Sequence, residues 1–406
     1  MDNTQCPPVK AGRQKTWVKN MIKRKLADAI KQHIEWFPVV HLNGPRQSGK
    51  TTLLEMVFPD SPSANLEDPS TLEMLLSDPR GVIDSMMKKG TPVVFDEAQR
   101  CPELFSWIQV VSDEKKQNGL FILTGSQNFL LNDQISQSLA GRTSILTLLP
   151  LSFQEVAPAL NEIDHRILKG GYPRLYDDQR PAPPTDILYE NYIATYLERD
   201  VRRLTSVQDL ATFHRFLRLC AMRTGQLLNK ANLAVETGIS QPSVERWLSV
   251  LEASNVIYRL QPFHANLNKR LVKSPKLYFC DTGLACHLAG IHTVELLETH
   301  PLRGALFENM VFIELVKHAY NQGHSPKIHF YRDKGGHEVD FLIGEDRSVD
   351  IVEVKAGKTF RSEYLSGIHY LRKLLGKNVK SARLLYAGDT ESKETDIVIQ
   401  NIVSYF

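Results

Sequence analysis

Apolar residues recur at helical spacing over residues 16–35, where Trp17, Met21, Ile22, Leu26, Ile30 and Ile34 are separated by lysines and other polar positions. This predicts an amphipathic helix, which core packing explains better than a membrane surface. The pattern then shortens. Pro38–Leu42 (PVVHL) reads as a buried strand running into a glycine-rich turn, and Val93–Phe95 and Leu120–Leu123 are further short apolar runs with helical stretches between them. Strands alternating with helices predict an α/β domain with a mostly parallel sheet. At Pro181–Thr185 (PAPPT) the pattern breaks, marking a linker or domain edge. From 186 to about 255 it is helical, and from about 300 a helix is followed by strands. No repeat of fixed period is visible.

Length agrees with a division into parts, because 406 residues are too many for one compact core. The reading is a basic N-terminal extension (1–19) followed by three domains, at 20–180, 186–275 and 295–406. A hydrophobic share of 42% with 23% charged residues is ordinary for a globular protein. No apolar run approaches the ~18–20 residues that span a bilayer, and the basic N-terminus lacks the apolar core of a secretory signal. The five cysteines are scattered without a CxxC pair, against both a disulfide framework and a zinc site. A cytoplasmic chain without membrane partners is expected. Net charge is only +3, but residues 199–276 hold 13 Lys/Arg against 5 Asp/Glu. Such a block is either a solvated surface or a source of phosphate contacts.

The strongest chemistry lies at Gly44–Thr51 (GPRQSGKT), which matches G-x-x-x-x-G-K-[ST] between a strand and a helix. Its glycines let main-chain amides turn toward phosphates, so Gly44, Pro45, Arg46, Gln47, Ser48, Gly49, Lys50, Thr51 and Thr52 are the expected ATP-binding residues. Lys50 reaches the β- and γ-phosphates, Thr51 is a ligand for Mg2+, and the following helix adds its positive end. Downstream, Thr91–Glu97 (TPVVFDE) is a buried strand ending in two acids. Asp96 is expected to hold the metal and Glu97 to act as general base on water. After Leu120–Thr124 a polar residue should stand between the γ-phosphate and the water, and Ser126 and Asn128 are equal candidates. Arg142, in SLAGR, is either an arginine finger acting in trans or a surface residue.

GPRQSGKTTLL, VVFDEAQR, LTGSQ, SLAGR, LPLSFQEV and GGYPRLY occur in this order. With these motifs the chain resembles a group of prokaryotic AAA-type ATPases from about Met21 to Lys355. The resemblance implies an AAA+ P-loop motor working as a homo-oligomer, commonly a ring.

In the middle domain, Leu228, Leu233 and Ala234 lie on one helix, Thr237–Ser240 form a turn, and Val244, Trp247, Leu248 and Leu251 share a face of a second helix. Ser240 is placed to cap that helix and Pro242 fits its first turn. An apolar strand, Val256–Leu260, follows. The layout resembles a winged helix. Gln241, Ser243, Glu245, Arg246 and Ser249 would face outward, with Gln241, Ser243 and Arg246 as candidate DNA contacts. Such a face serves either DNA or a protein partner, and it favours non-specific or shape-based DNA recognition over base reading.

Toward the C-terminus, strand alternation puts Glu338 and Asp340 of GHEVDF on one face, with Val339 and Phe341 on the other. In VEVK, Glu353 and Lys355 share a face. Asp340 and Glu353 would grip one divalent metal, Mg2+ or Mn2+, with Lys355 beside them and Glu308 of the LFEN helix completing the cluster. This order of acids and E-x-K resembles the restriction-endonuclease-like fold over about the last 110 residues. The resemblance implies either a metal-dependent nuclease or an inactive scaffold of the same fold.

The expected fold class is therefore α/β: a parallel-sheet AAA-type ATPase domain, a helical winged-helix middle domain and a C-terminal restriction-endonuclease-like α/β domain. Its expected activity is Mg-dependent ATP hydrolysis coupled to DNA remodelling or processing. The alternative is a nucleotide-gated switch that binds protein.

Overall fold

The computed structural model describes residues 21–88, 90–125, 138–156, 163–198, 209–263, 272–345 and 348–406. The chain divides into two compact units. One comprises residues 1–150 with 177–181 and 319–324, and the other comprises 151–176, 182–318 and 325–406.

The first unit is built on five parallel strands: β1 (Val39–Asn43), β2 (Ser63–Asn65), β3 (Val93–Asp96), β4 (Phe121–Thr124) and β5 (Thr143–Thr147). Their order across the sheet is β2-β3-β4-β1-β5. Both faces are covered, which is why β1, β3 and β4 read as near-continuous apolar runs. Val39, Val93, Phe95, Phe121 and Leu123 enter one core with side chains of the helices Pro79–Met86 and Pro102–Lys115. Val40, Leu42, Val94 and Ile122 enter the other, with Leu26, Ile30, Leu53 and Leu54 of the helices Leu26–Trp36 and Lys50–Val57. The amphipathic helix thus begins at Leu26 and not at residue 16. Met21 and Ile22 precede it, and Trp17 lies outside the described residues. Because the strands are parallel, β1, β3 and β4 deliver Gly44, Asp96 and Thr124 to the same edge.

In the second unit, the helices Leu210–Ala221, Lys230–Thr237 and Gln241–Ala253 precede an antiparallel pair, β6 (Ile257–Leu260) and β7 (Lys276–Phe279). Ser240 accepts a hydrogen bond from the Ser243 N–H and Pro242 stands in the first turn, as the local sequence predicts. Gly238 (φ 76°) ends the preceding helix in the left-handed conformation that a glycine adopts without strain. Residues 225–228 run beside β7: Gly225 N–H donates to Leu277 O, and Leu228 N–H to Pro275 O.

A six-stranded mixed sheet follows, built from β8 (Ile328–Arg332), β9 (Glu338–Glu345), β10 (Ser348–Lys355), β11 (Val379–Tyr386), β12 (Ser392–Glu394) and β13 (Ile397–Asn401). Its order is β12-β13-β11-β10-β9-β8. The parallel step from β10 to β11 is made through the helix Ser366–Leu375, whose Ile368, Leu371 and Leu375 pack on Val349, Ile351 and Leu384. Strict alternation fails in β9. The pairing with β8 shifts register between His329 and Tyr331, so Val339 and Leu342 share one core while Phe341 stacks on Phe312 (ring centroids 5.6 Å). Phe341 therefore does not share a face with Val339, as alternation had required.

Candidate functional site

The loop after β1 turns on backbone conformations that few residues tolerate. Gly44 has φ 146°, and a Cβ there would lie 2.1 Å from Leu148 O. Gly49 (φ 92°) starts the helix Lys50–Val57, and Gln47 is left-handed at φ 61°. Pro45 and Ser48 are buried and Arg46 is half-buried, 3.8 Å from Glu67. Thr51 and Thr52 are exposed at the helix start.

Lys50 is 8% exposed, and its ammonium donates to Gly44 O (2.8 Å) and Pro45 O (2.9 Å). Burial pushes its pKa down to about 8. Glu97 and Asp96 work against that fall, and Arg46 adds to it. A residue that sequence reading missed braces the loop from behind. Buried Arg24 donates to Ser48 O and to Leu149 O, each at 2.6 Å.

Facing the loop, the Thr51 hydroxyl donates to Asp96 Oδ2 at 2.7 Å. The other oxygen, Oδ1, accepts from the Glu97 N–H (3.1 Å) and the Thr124 hydroxyl. Glu97 sits at φ 55° and its carboxylate accepts from Gln99 Nε2 at 2.5 Å. Left-handed backbone at a non-glycine residue is uncommon and clusters at functional sites. Thr124 and Gln99 were not among the candidates. The only sequence signal for Thr124 is a polar residue closing an otherwise apolar strand. Ser126 and Asn128 lie outside the described residues.

The structure does not bring Arg142 to this edge. It precedes β5, its carbonyl accepts from Val39 N–H at the start of β1, and Gly44 follows the opposite end of β1. Its guanidinium makes a two-point pair with Asp113 at 2.7 and 2.9 Å.

On the helix Gln241–Ala253, Val244, Trp247, Leu248 and Leu251 are buried, while Gln241 and Arg246 are exposed. Ser243 is half-buried against the Ser240 hydroxyl (2.9 Å). Glu245 pairs with Arg259 (2.6 Å) and Lys230 (3.1 Å). Ser249 donates to Glu245 at 3.4 Å.

The C-terminal acids do converge, around a residue that sequence reading passed over. Lys276, at the start of β7 and 2% exposed, lies 3.0 Å from Glu308, 2.7 Å from Glu338 and 3.9 Å from Asp340. Tyr278 also donates to Glu308. Asp340 Oδ2 accepts from Val354 N–H (2.8 Å), and Lys355 contacts Glu353 at 2.5 Å. Burial, then the charge of Asp340, raises the pKa of both Glu308 and Glu353. Burial works against a charged Lys276, but Glu308, Asp340 and Glu338 outweigh it and raise its pKa. The Glu308, Asp340, Glu353 and Lys355 grouping thus exists, with an ammonium among its carboxylates where a divalent metal was expected. Among the described residues, no group of three or more His, Cys, Asp or Glu side chains is arranged to hold a metal ion. None of their helices is long and apolar enough to cross a membrane.

Comparison with known proteins adds the following. Residues 37–157 match the family described as AAA domain. Residues 160–295 and 303–405 match two domains of unknown function, DUF8612 and DUF4143. Uncharacterized proteins of Mycobacterium tuberculosis and Mycobacterium bovis are each 33% identical over 294 residues, covering 72% of this chain and 65% of theirs. The matched region thus spans just under two thirds of those relatives. An uncharacterized protein of Methanocaldococcus jannaschii is 25% identical over 338 residues, 75% of this chain and 72% of its own. Among solved structures, the Walker-type ATPase Paby2304 of Pyrococcus abyssi has a TM-score of 0.47 and 21% identity over 68% of this chain and 98% of its own. The family match covers the residues that carry the loop after β1 and the acid pair at the end of β3. Residues 37–157 are an AAA-type P-loop ATPase domain.

Proposed function

We propose that the whole chain is a Mg-dependent ATPase of the AAA+ class whose hydrolysis cycle changes how it holds DNA. In this reading the ATPase domain occupies about residues 20–180, a winged helix 186–275 and a restriction-endonuclease-like domain 295–406. The observation that carries the DNA assignment is the open face of the helix Gln241–Ala253. Arg246 is exposed there, with no ion-pair partner among the described residues, while the opposite face is sealed into the core. The antiparallel pair β6–β7, with Leu227 bridged to Lys276 beside it, supports the winged-helix reading.

In the catalytic step, main-chain amides of Gly44–Thr51 cradle the triphosphate. The Lys50 ammonium leaves the carbonyls of Gly44 and Pro45 for phosphate oxygens. Thr51 and Asp96 fit Mg2+, an ion usually held by one or two oxygen side chains together with phosphates and water. When bound, that ion offsets charge on the phosphate oxygens. Glu97, oriented by Gln99, accepts a proton from the attacking water as its oxygen bonds to the γ-phosphorus and the bond to the β–γ bridging oxygen breaks. Thr124 holds Asp96 in place. Arg142 lies at the opposite end of β1 from its own loop and is paired with Asp113, so a finger role requires a second copy of the chain, in a homo-oligomer.

The test is ATP turnover with and without single-stranded, duplex and branched DNA, beside DNA affinity measured across salt. Stimulated turnover and salt-sensitive binding are expected, with Arg246→Ala lowering the salt slope by about one. Turnover indifferent to every DNA, with no salt-sensitive binding, would remove the DNA assignment. It would favour the second reading, a nucleotide-gated switch for protein partners whose C-terminal domain is a non-cutting scaffold. The pairing of Glu245 with Arg259 and Lys230, which neutralises part of the helix's basic surroundings, supports that version.

A further inference from the structure

We propose that Lys276 is the resident cation of the C-terminal carboxylate cluster, and that it shuts this cluster to divalent metal while β7 remains docked. Its ammonium contacts carboxylates from the LFEN helix and from β9, the elements expected to supply metal ligands. A divalent ion bound to those oxygens at about 2.0–2.6 Å would sit within contact of the ammonium nitrogen. Two cations that close in a weakly screened interior repel strongly, so one occupant excludes the other.

The position of Lys276 is built in. Asn309, one residue after Glu308 and fully buried, accepts from the Phe279 N–H (2.8 Å) and donates to Phe279 O (2.7 Å). This pins β7 to the helix Arg303–Asn321. Tyr278 contributes its hydroxyl to the same Glu308 carboxylate. The side chain of Lys276 also lies over the Phe330 ring at 5.6 Å. One acceptor is left over. Glu353 Oε2 is buried without a hydrogen-bond partner among the described residues, an oxygen that the ammonium does not serve. The cluster therefore keeps an unserved acceptor that a divalent ion of higher coordination number would use once the lysine were withdrawn. Lys276 opens β7, which begins just past the proposed winged-helix segment and pairs with its strand β6, so the plug adjoins the part proposed to meet DNA. The exclusion itself does not depend on DNA binding.

The experiment counts Mn2+ bound to the nucleotide-free full chain by electron paramagnetic resonance. The wild type should take up no Mn2+ that Asp340→Asn removes. Lys276→Gln should gain one saturable Mn2+, lost again in Lys276→Gln/Asp340→Asn, and Lys276→Arg should stay closed. Circular dichroism and melting confirm that each variant is folded. Asp340-dependent Mn2+ uptake by the wild type overturns the proposal, as does a folded Lys276→Gln that gains no ion. If Lys276→Gln does not fold, the wild-type comparison decides: uptake refutes exclusion, and its absence together with a closed Lys276→Arg supports it.

Discussion

The hydroxyl of Thr51 donates to the carboxylate of Asp96 at 2.7 Å, joining the first turn after the phosphate loop to the end of a strand two places away in the sheet. This contact holds two oxygens where a cation bridging nucleotide and protein would find them. Thr51→Val should therefore weaken nucleotide binding in Mg2+ by at least about tenfold and leave binding in EDTA almost unchanged. Calorimetry in the two buffers separates these effects. An equal loss in both would mean that Thr51 serves the loop's shape and not the cation.

Glu97 has the left-handed backbone and the Gln99 contact that aim its carboxylate off the strand. Glu97→Gln keeps the shape and removes the base. Turnover should fall roughly 10²–10⁴-fold while ATP is still bound. A variant hydrolysing at the wild-type rate would dismiss Glu97 from this role.

Burial brings the pKa of Lys50 down to about 8 in the nucleotide-free chain. Triphosphate binding favours the protonated amine, so affinity is fully present below that value and is lost as pH rises through it. The loss should approach about tenfold per pH unit. Lys50→Ala should bind weakly and without this dependence. A flat wild-type profile across the same range would place the pKa elsewhere.

Arg24 holds the carbonyls of Ser48 and Leu149. Arg24→Met retains the aliphatic stem but leaves both acceptors without their charged donor. We expect a stability loss of roughly 1.5–3 kcal/mol in chemical denaturation, accompanied by weaker ATP affinity. If stability falls and affinity does not, Arg24 supports the fold without shaping the loop.

These residues divide by how their partners are reached. Gly44–Thr51 are contiguous, and a strand before them and a helix after them are enough to orient main-chain amides. Asp96 and Glu97 are readable because a buried strand must end where its acids begin. Thr124 acts through strand adjacency, since β4 lies between β1 and β3 although it follows both in sequence. Arg24 likewise reaches Leu149 across 125 positions of sequence. Arg142 sits in a recognisable motif, but its distance from the loop follows from the direction of β5.

Sequence by itself determined the elements with strong local patterns: the phosphate loop, the acid-ended strand, the capped helix at Gln241 and the C-terminal order of acids. These depend on neighbours a few positions apart. Tertiary structure alone decided that Phe341 parts from Val339, because one register shift in a sheet reverses a face. It alone set Lys276 among acids from two other elements, because pairing across the fold is governed by packing and charge in three dimensions. Local spacing carries no record of such a meeting.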